Sequence, residues 1–201
     1  MPQEHYFSAS PDSPSTLREI TYQVADREFA VQAASGTFSA SKLDPGTSIL
    51  LSKFDEFPDS GNVLDLGCGW GPISLAIATF SPETTLWALD VNARSMELAS
   101  KNAQKLGLSN IKIVTAEQVP QDLMFDAIWS NPPIRIGKTA LHELLRTWLP
   151  RLESGGRAML VVQKQLGADS LLSWIQKEFP ELTASRFSTD KGFRVLEITR
   201  D

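Results

Sequence analysis

Val63-Leu64-Asp65-Leu66-Gly67-Cys68-Gly69-Trp70-Gly71 is an apolar run carrying one acid that breaks into alternating glycines. Such a run, bounded by glycine, predicts a buried strand over 63–66. Glycine lacks a Cβ, so the loop after it can turn tightly and let a ligand approach the backbone. Pro72 follows at once. Proline is tolerated in the first turn of a helix, so a helix over 71–80 is expected. Strand, glycine loop and helix in succession form the opening unit of an α/β sheet.

The same unit repeats downstream. Thr85–Leu89 reads as a second strand ending at Asp90, and 93–106 as a helix stopped by Gly107. Ile111–Val114 and Phe125–Trp129 read as further strands. A helix over 138–152 should end at Glu153-Ser154-Gly155-Gly156, before a strand over Arg157–Val162. A helix over 169–179 is stopped by Pro180, and Thr183–Phe187 with Phe193–Thr199 reads as a closing pair of strands. Upstream, 18–24 and 27–32 alternate around Ala25-Asp26 as a β-hairpin, and Asp44-Pro45-Gly46-Thr47 opens a helix over 46–55. Residues 1–16, rich in Ser, Pro and Asp, read as a loose tail, which leaves 17–201 as the folded domain. Strand–helix alternation predicts a mostly parallel sheet with helices on both faces. Ligands of such sheets sit beyond the carboxyl ends of the strands, where strand order reverses.

Bulk properties narrow the function classes. The chain has 201 residues, 42% hydrophobic and 21% charged, as an ordinary globular protein does. No apolar run reaches the roughly 20 residues needed to span a bilayer, and Met1–Tyr6 lacks the basic-then-apolar pattern of a secretory leader. One cysteine excludes an internal disulfide, and two histidines argue against a zinc cluster. A cytoplasmic protein without metal or membrane partner, monomeric or homodimeric, is expected. The net charge of −5 and pI of about 5.1 argue against a large nucleic-acid footprint. However, Arg135, Lys138, Arg146, Arg151, Arg157, Lys164, Lys191 and Arg194 crowd the last third, as a binding face or as ordinary solvated surface.

A second motif, Ser130-Asn131-Pro132-Pro133-Ile134, follows the fourth strand of the alternating region. The prolines fix φ, remove backbone donors and keep Asn131 out of the α region. The corner is stiff, and its chemistry suits a planar amino group, whose lone pair is delocalised. Acceptors that bind both N–H hydrogens favour the pyramidal nitrogen that must attack; Asn131 Oδ1 and the Pro132 carbonyl are the candidates. A plain structural turn is the alternative. Asp90 is placed to accept hydrogen bonds from a ribose diol, or simply to cap the next helix. Asp65 can orient the loop and attract an ammonium group.

Together these residues resemble the class I S-adenosylmethionine-dependent methyltransferases, whose first motif is an acid followed by G-x-G-x-G, here Asp65, Gly67, Gly69 and Gly71. The resemblance implies an α/β fold: a Rossmann-like, doubly wound, seven-stranded, mostly parallel sheet with an antiparallel last strand, here with an N-terminal β-hairpin. It implies S-adenosyl-L-methionine as cofactor, held by the loop including Cys68, by Asp90 at the ribose, by Val91 and Asn92 beside the adenine, and by Glu117 near its amino group. The corner resembles the N-P-P-aromatic signature of N-methyltransferases, with Ile134 in place of the ring that stacks on the target. The longer string through Lys138, with Gly36-Thr37-Phe38-Ser39, Leu43–Thr47 and Lys191–Val195, resembles the small-subunit ribosomal RNA guanine-N2 methyltransferases over roughly 17–200. That likeness implies Asn131, Pro132 and Pro133 as the catalytic corner, with Asn131 also near the cofactor. It puts Phe38 and Thr47 near the cofactor, and Ile134, Arg135 and Lys138 on the substrate, which would be ribosomal RNA or the small subunit. A methyltransferase of protein or small-molecule amines, and a binding module without catalysis, are the rival readings.

Trp87, Trp129 and Trp148 fall on apolar positions and read as core. Trp70, inside the glycine loop, reads as core or as a cofactor flank, and His142 as exposed.

Overall fold

A computed structural model describes residues 16–39 and 41–201. The expected tail therefore lies outside the described residues except for Thr16. The chain opens with β1 (Leu17–Val24) and β2 (Arg27–Ala34), a separate antiparallel hairpin. Then come α1 (Pro45–Leu51), β3 (Ser60–Leu66), α2 (Pro72–Phe80), β4 (Glu83–Leu89), α3 (Ala93–Lys105), β5 (Ile111–Val114) and β6 (Phe125–Ser130). The remainder is α4 (Lys138–Trp148), β7 (Leu152–Gln163), α5 (Ala168–Glu178), β8 (Thr183–Asp190) and β9 (Phe193–Thr199).

The main sheet has seven strands in the order β5-β4-β3-β6-β7-β9-β8. All its pairs are parallel except those of β9, which is antiparallel to both neighbours. The chain winds outward from β3 through β4 to β5, then returns to the other side of β3 for β6 and β7. Strand order thus reverses between β3 and β6.

Alternation along each strand sorts the core into two layers. Val63 of β3 joins the hairpin, α1, α2 and α3 on one face, through Val31, Leu50, Ile77 and Leu98. Leu64 and Leu66 join α4 and α5 on the other face, through Leu145 and Ile175. The hairpin is part of the core rather than an appendage. Asn102 of α3 donates to the carbonyls of Gln32 and Trp70, and its Oδ1 accepts from Gln32 N at 2.8 Å.

Several ends differ from the expected ones. The first helix stops at Leu51 and a 3-10 turn, Phe54–Glu56, follows; the helix from Lys138 likewise gives way at Leu149 to a 3-10 turn. β7 begins at Leu152, because Gly155 and Gly156 continue pairing: Gly155 N donates to Arg200 O, and Arg200 N to Gly156 O. Trp87, Trp129, Trp148 and Trp70 are all buried. His142 is not exposed: its ring lies flat on Trp174, 3.6 Å between centroids. No helix of the described residues is long and apolar enough to cross a membrane.

Candidate active site

The sheet register brings the two motifs together. Asp65 of β3 and Trp129 of β6 are partners across a parallel pair, so Gly67 and Asn131, each two residues further on, begin adjacent loops. The strand ends are clamped by Ser130 Oγ, which donates to Leu66 O at 2.6 Å, fully buried. The glycine loop is tied to β4 as well: Gly67 N and Cys68 N both donate to Leu89 O at 2.9 Å. Gly67, Gly69 and Gly71 have φ of 79°, 57° and 97°, the left-handed region that favours glycine.

A cavity of ≈ 330 Å³ opens at this switch point. Phe38, Gly67, Gly69, Asp90, Val91, Asn131, Pro132, Pro133, Ile134 and Arg135 line it. A small annex of ≈ 20 Å³ adjoins it, with Thr47, Cys68 and Trp70 in its wall beside Phe38, Gly67, Gly69 and Asn131. A groove of ≈ 380 Å³ near Arg27, Phe29, Ala78 and Asn110 holds neither motif.

The acids differ in environment. Asp65 shares the strand face of Val63, which points it at α2. Its Oδ2 accepts from Ser74 N at 2.9 Å and Ser74 Oγ at 2.6 Å, holding the helix's amino end. Its Oδ1 is buried without a partner. Burial pushes the carboxyl up to about 7, against the two bonds from Ser74 and with a small push from Asp90. Asp65 thus sits behind the loop and lines neither cavity. Asp90 is half-buried; its Oδ2 accepts from Gly69 N and its Oδ1 from Asn92 N, both at 2.8 Å. Burial raises its pKa, while bonds from Asn92, Gly69 and Val91 lower it. Burial also pushes the Cys68 thiol up, as do Asp90 and Asp65.

Asn131 is held through its amide nitrogen. Its Nδ2 donates to Asp44 Oδ2 at 2.7 Å and to Thr47 Oγ1 at 3.0 Å. A carboxylate only accepts, so the amide nitrogen must face it and Oδ1 is left as the outward acceptor. Asp44 is itself fixed as the cap of α1, accepting from Thr47 N at 3.1 Å. Beyond Asn131, Pro133 has φ −75° and ψ 71°, an inverse γ-turn in which Ile134 N donates to Pro132 O at 2.8 Å. The Pro132 carbonyl therefore already accepts one bond and keeps one lone pair.

The remaining expected residues lie around this centre. Gly71 is the left-handed cap of α2, close against Ala99. Asn92 is wholly buried; its Oδ1 caps α3 through Ser95 N, and its Nδ2 donates to Gly36 O, which anchors the segment carrying Phe38. Glu117 and Lys138 are exposed and line neither cavity. Sequence reasoning gave no site role to Asp44, Ser95, Leu144, Gln163, Leu166 or Phe193, which all line the cavity of ≈ 330 Å³; Asp44 and Phe193 stood only within the strings Leu43–Thr47 and Lys191–Val195. Of these only Asp44 carried a local signal, as the polar residue that opens a helix.

Comparisons with known proteins show what the chain is similar to. The family model described as methyltransferase small domain matches residues 28–197. An uncharacterized protein of Bacillus subtilis, YbxB, is 32% identical over 200 residues, which is 98% of each chain. Ribosomal RNA small subunit methyltransferase C of Hamiltonella defensa is 36% identical over 188 residues, covering 89% of this chain and 52% of that protein. The chain thus spans about half the length of that relative, and 44% of its Serratia proteamaculans counterpart. Among solved structures, the Thermus thermophilus 16S rRNA N2 G1207 methyltransferase, in complex with AdoMet and guanosine, superposes with a TM-score of 0.81 at 22% identity. That match covers 95% of this chain and 52% of the other.

Proposed function

The chain belongs to the methyltransferase small domain family, and on that premise we propose that it moves a methyl group from S-adenosyl-L-methionine to the exocyclic N2 of a guanine in small-subunit ribosomal RNA. The observation that carries the reading is the Asn131 amide, locked with its oxygen outward beside the glycine loop.

The residues present suit that cofactor. Gly67 and Gly69 give the cavity a wall without side chains, and a Cβ on Gly69 would meet nothing within 4 Å. The Asp90 carboxylate accepts backbone bonds from Gly69, Asn92 and Val91, and its remaining acceptor capacity would suit a ribose hydroxyl. Thr47 and Cys68 would border the methionine end, with Asp65 supporting the loop from behind. Phe38 and Val91 would flank the rings. Bound there, S-adenosylmethionine supplies a methyl on a positively charged sulfur.

The protein's own contribution is position and polarity. Asn131 Oδ1 and the Pro132 carbonyl accept the two N–H bonds of the guanine amine. That draws its lone pair out of conjugation and aims it at the methyl carbon. Holding the partners in line is worth up to roughly 7–11 kcal/mol in favourable cases, and preorganised acceptors add to it as positive charge develops on nitrogen. Transfer would form the N–C bond as the S–C bond breaks, with S-adenosylhomocysteine as the leaving group, and the cationic nitrogen would release its proton to water. Guanine N2 lies on the pairing edge, so the base must be unpaired or flipped out. Ile134 and Arg135, which line the cavity, would meet the substrate, and Lys138, exposed three residues on from Arg135, would meet its phosphates. The reaction is a cytoplasmic one.

Incubation with methyl-labelled cofactor and three acceptors, assembled subunits, naked RNA and a protein lysate, tests the proposal. Label in RNA nucleosides is the expected result. Label in protein would favour a protein amine as substrate, and failure to bind S-adenosylhomocysteine by calorimetry would remove the catalytic reading.

A further inference from the structure

The cations of the last third sort into two groups once the fold is known. Arg146 is engaged by Glu143 and Glu178, Arg157 by Glu56 and Glu197, and Arg151 by the carbonyls of Pro120 and Leu123. Lys164, Arg186 and Lys191 are exposed and form no ion pair among the described residues. These last converge. Lys164 N donates to Gly192 O, joining the turn after β7 to the β8–β9 turn that holds Lys191. Lys164, Arg186 and Arg194 all act on Asp169 at the start of α5, which pairs with Arg194 at 3.0 Å. With Asp169 and Asp190 counted against them, the shoulder is net positive on a chain of net charge −5.

The shoulder also carries apolar groups at its surface. Phe187 stands at an irregularity of the edge strand β8, where the register skips from Arg186 to Ser188, and is 36% exposed. Leu166, 44% exposed, lines the cavity two residues on from Lys164. Gln163, Phe193 and Asp190 are aligned across β7, β9 and β8, so the hairpin tip stands at the same rim as the catalytic corner. Cations interleaved with an exposed ring on a strand edge suit single-stranded nucleic acid: phosphates meet the cations and a base stacks on the ring.

We propose that this shoulder, through Lys164, Arg186, Phe187 and Lys191, docks a single-stranded RNA segment next to the nucleotide held in the cavity. It deepens the RNA reading above and rests on it. It also gives an acidic chain a local route to a polyanion.

Fluorescence anisotropy of the full chain with a labelled single-stranded RNA of about 16 nucleotides, across a salt series, tests it. Removing two phosphate contacts with K164Q/K191Q should make the log–log salt slope shallower by about 1.4. Phe187→Ala should weaken binding about tenfold, within the range of one lost stack. S-adenosylhomocysteine affinity should stay unchanged in both. Neutralising Lys105 and Lys112, which lie away from the cavity, is the control. Equal loss in that control, unchanged binding in the shoulder variants, or no RNA binding by the wild type would each overturn the shoulder. Methyl transfer to the same RNA is read separately. RNA held by the shoulder without transfer would contradict the proposed activity, and transfer with unaltered binding would contradict the shoulder.

Discussion

Asn131 has both amide hydrogens engaged within the protein, so its one remaining function is as an acceptor. Asn131→Ala should therefore cut turnover by at least a hundredfold and leave S-adenosylhomocysteine affinity nearly unchanged; equal loss of both would make the residue structural. Asp44 acts through Asn131. Asp44→Ala frees the amide to turn, so kcat should fall, and the double variant should be no slower than Asn131→Ala alone. Asp44→Asn keeps an oxygen that can accept both bonds and should largely restore kcat. Additive losses in the cycle would separate the two residues. The Asn-Pro-Pro string made Asn131 legible. Asp44 read as a helix opener and as one position of the Leu43–Thr47 string, with no role of its own, since its bond to Asn131 joins positions 87 apart and no local pattern reports that.

Asp65 gives a pH signature. The folded chain holds its proton up to about pH 7, whereas an unfolded carboxylate releases it near pH 4, about the ordinary value. Between those values the native state binds more protons, so Asp65 makes stability fall as pH rises. Thermal unfolding of the wild type should show this decline, and Asp65→Asn should flatten it. An equal slope in the variant would assign the pH dependence to other groups.

At the scale of elements, Gly69 and Gly71 have separate tasks that the sequence presents as one repeat. A Cβ on Gly71 would stand 3.3 Å from Ala99 Cβ of α3, with φ at 97°. Gly71→Ala should lower the unfolding midpoint by several degrees, through strain and the α2–α3 contact. Gly69 faces open cavity, so Gly69→Ala costs about 1–2 kcal/mol of backbone strain and should chiefly weaken cofactor binding. Melting curves beside calorimetry separate the pair; the reverse pattern would misplace the cavity. Helix ends were readable from Pro72 and Gly107 because capping is local chemistry, although the cap of α3 is Asn92 rather than the Asp90 that the sequence offered. The start of β7 was not: Gly155-Gly156 looks like a break, and only pairing with Arg200, from the far end of the chain, makes it strand.

At the scale of the molecule, strand and helix alternation made the α/β class legible, and the position of the site followed from the rule that ligands gather where strand order reverses. The register itself was not in the sequence. That Asp65 lies beside Trp129, and so places a loop at Gly67 against a corner at Asn131, is a property of the assembled sheet. The hairpin's role was also hidden, because Asn102 ties it to α3 and the loop through backbone carbonyls. On the proposed reading Asn131 Oδ1 and the Pro132 carbonyl receive a planar amine beside the glycine loop, so the methyl should end on an exocyclic nitrogen. Mass spectrometry of nucleosides digested from RNA methylated by the purified chain tests this most directly. N2-methylguanosine is the predicted product; methyl found only on a ribose hydroxyl or a ring carbon would contradict the account.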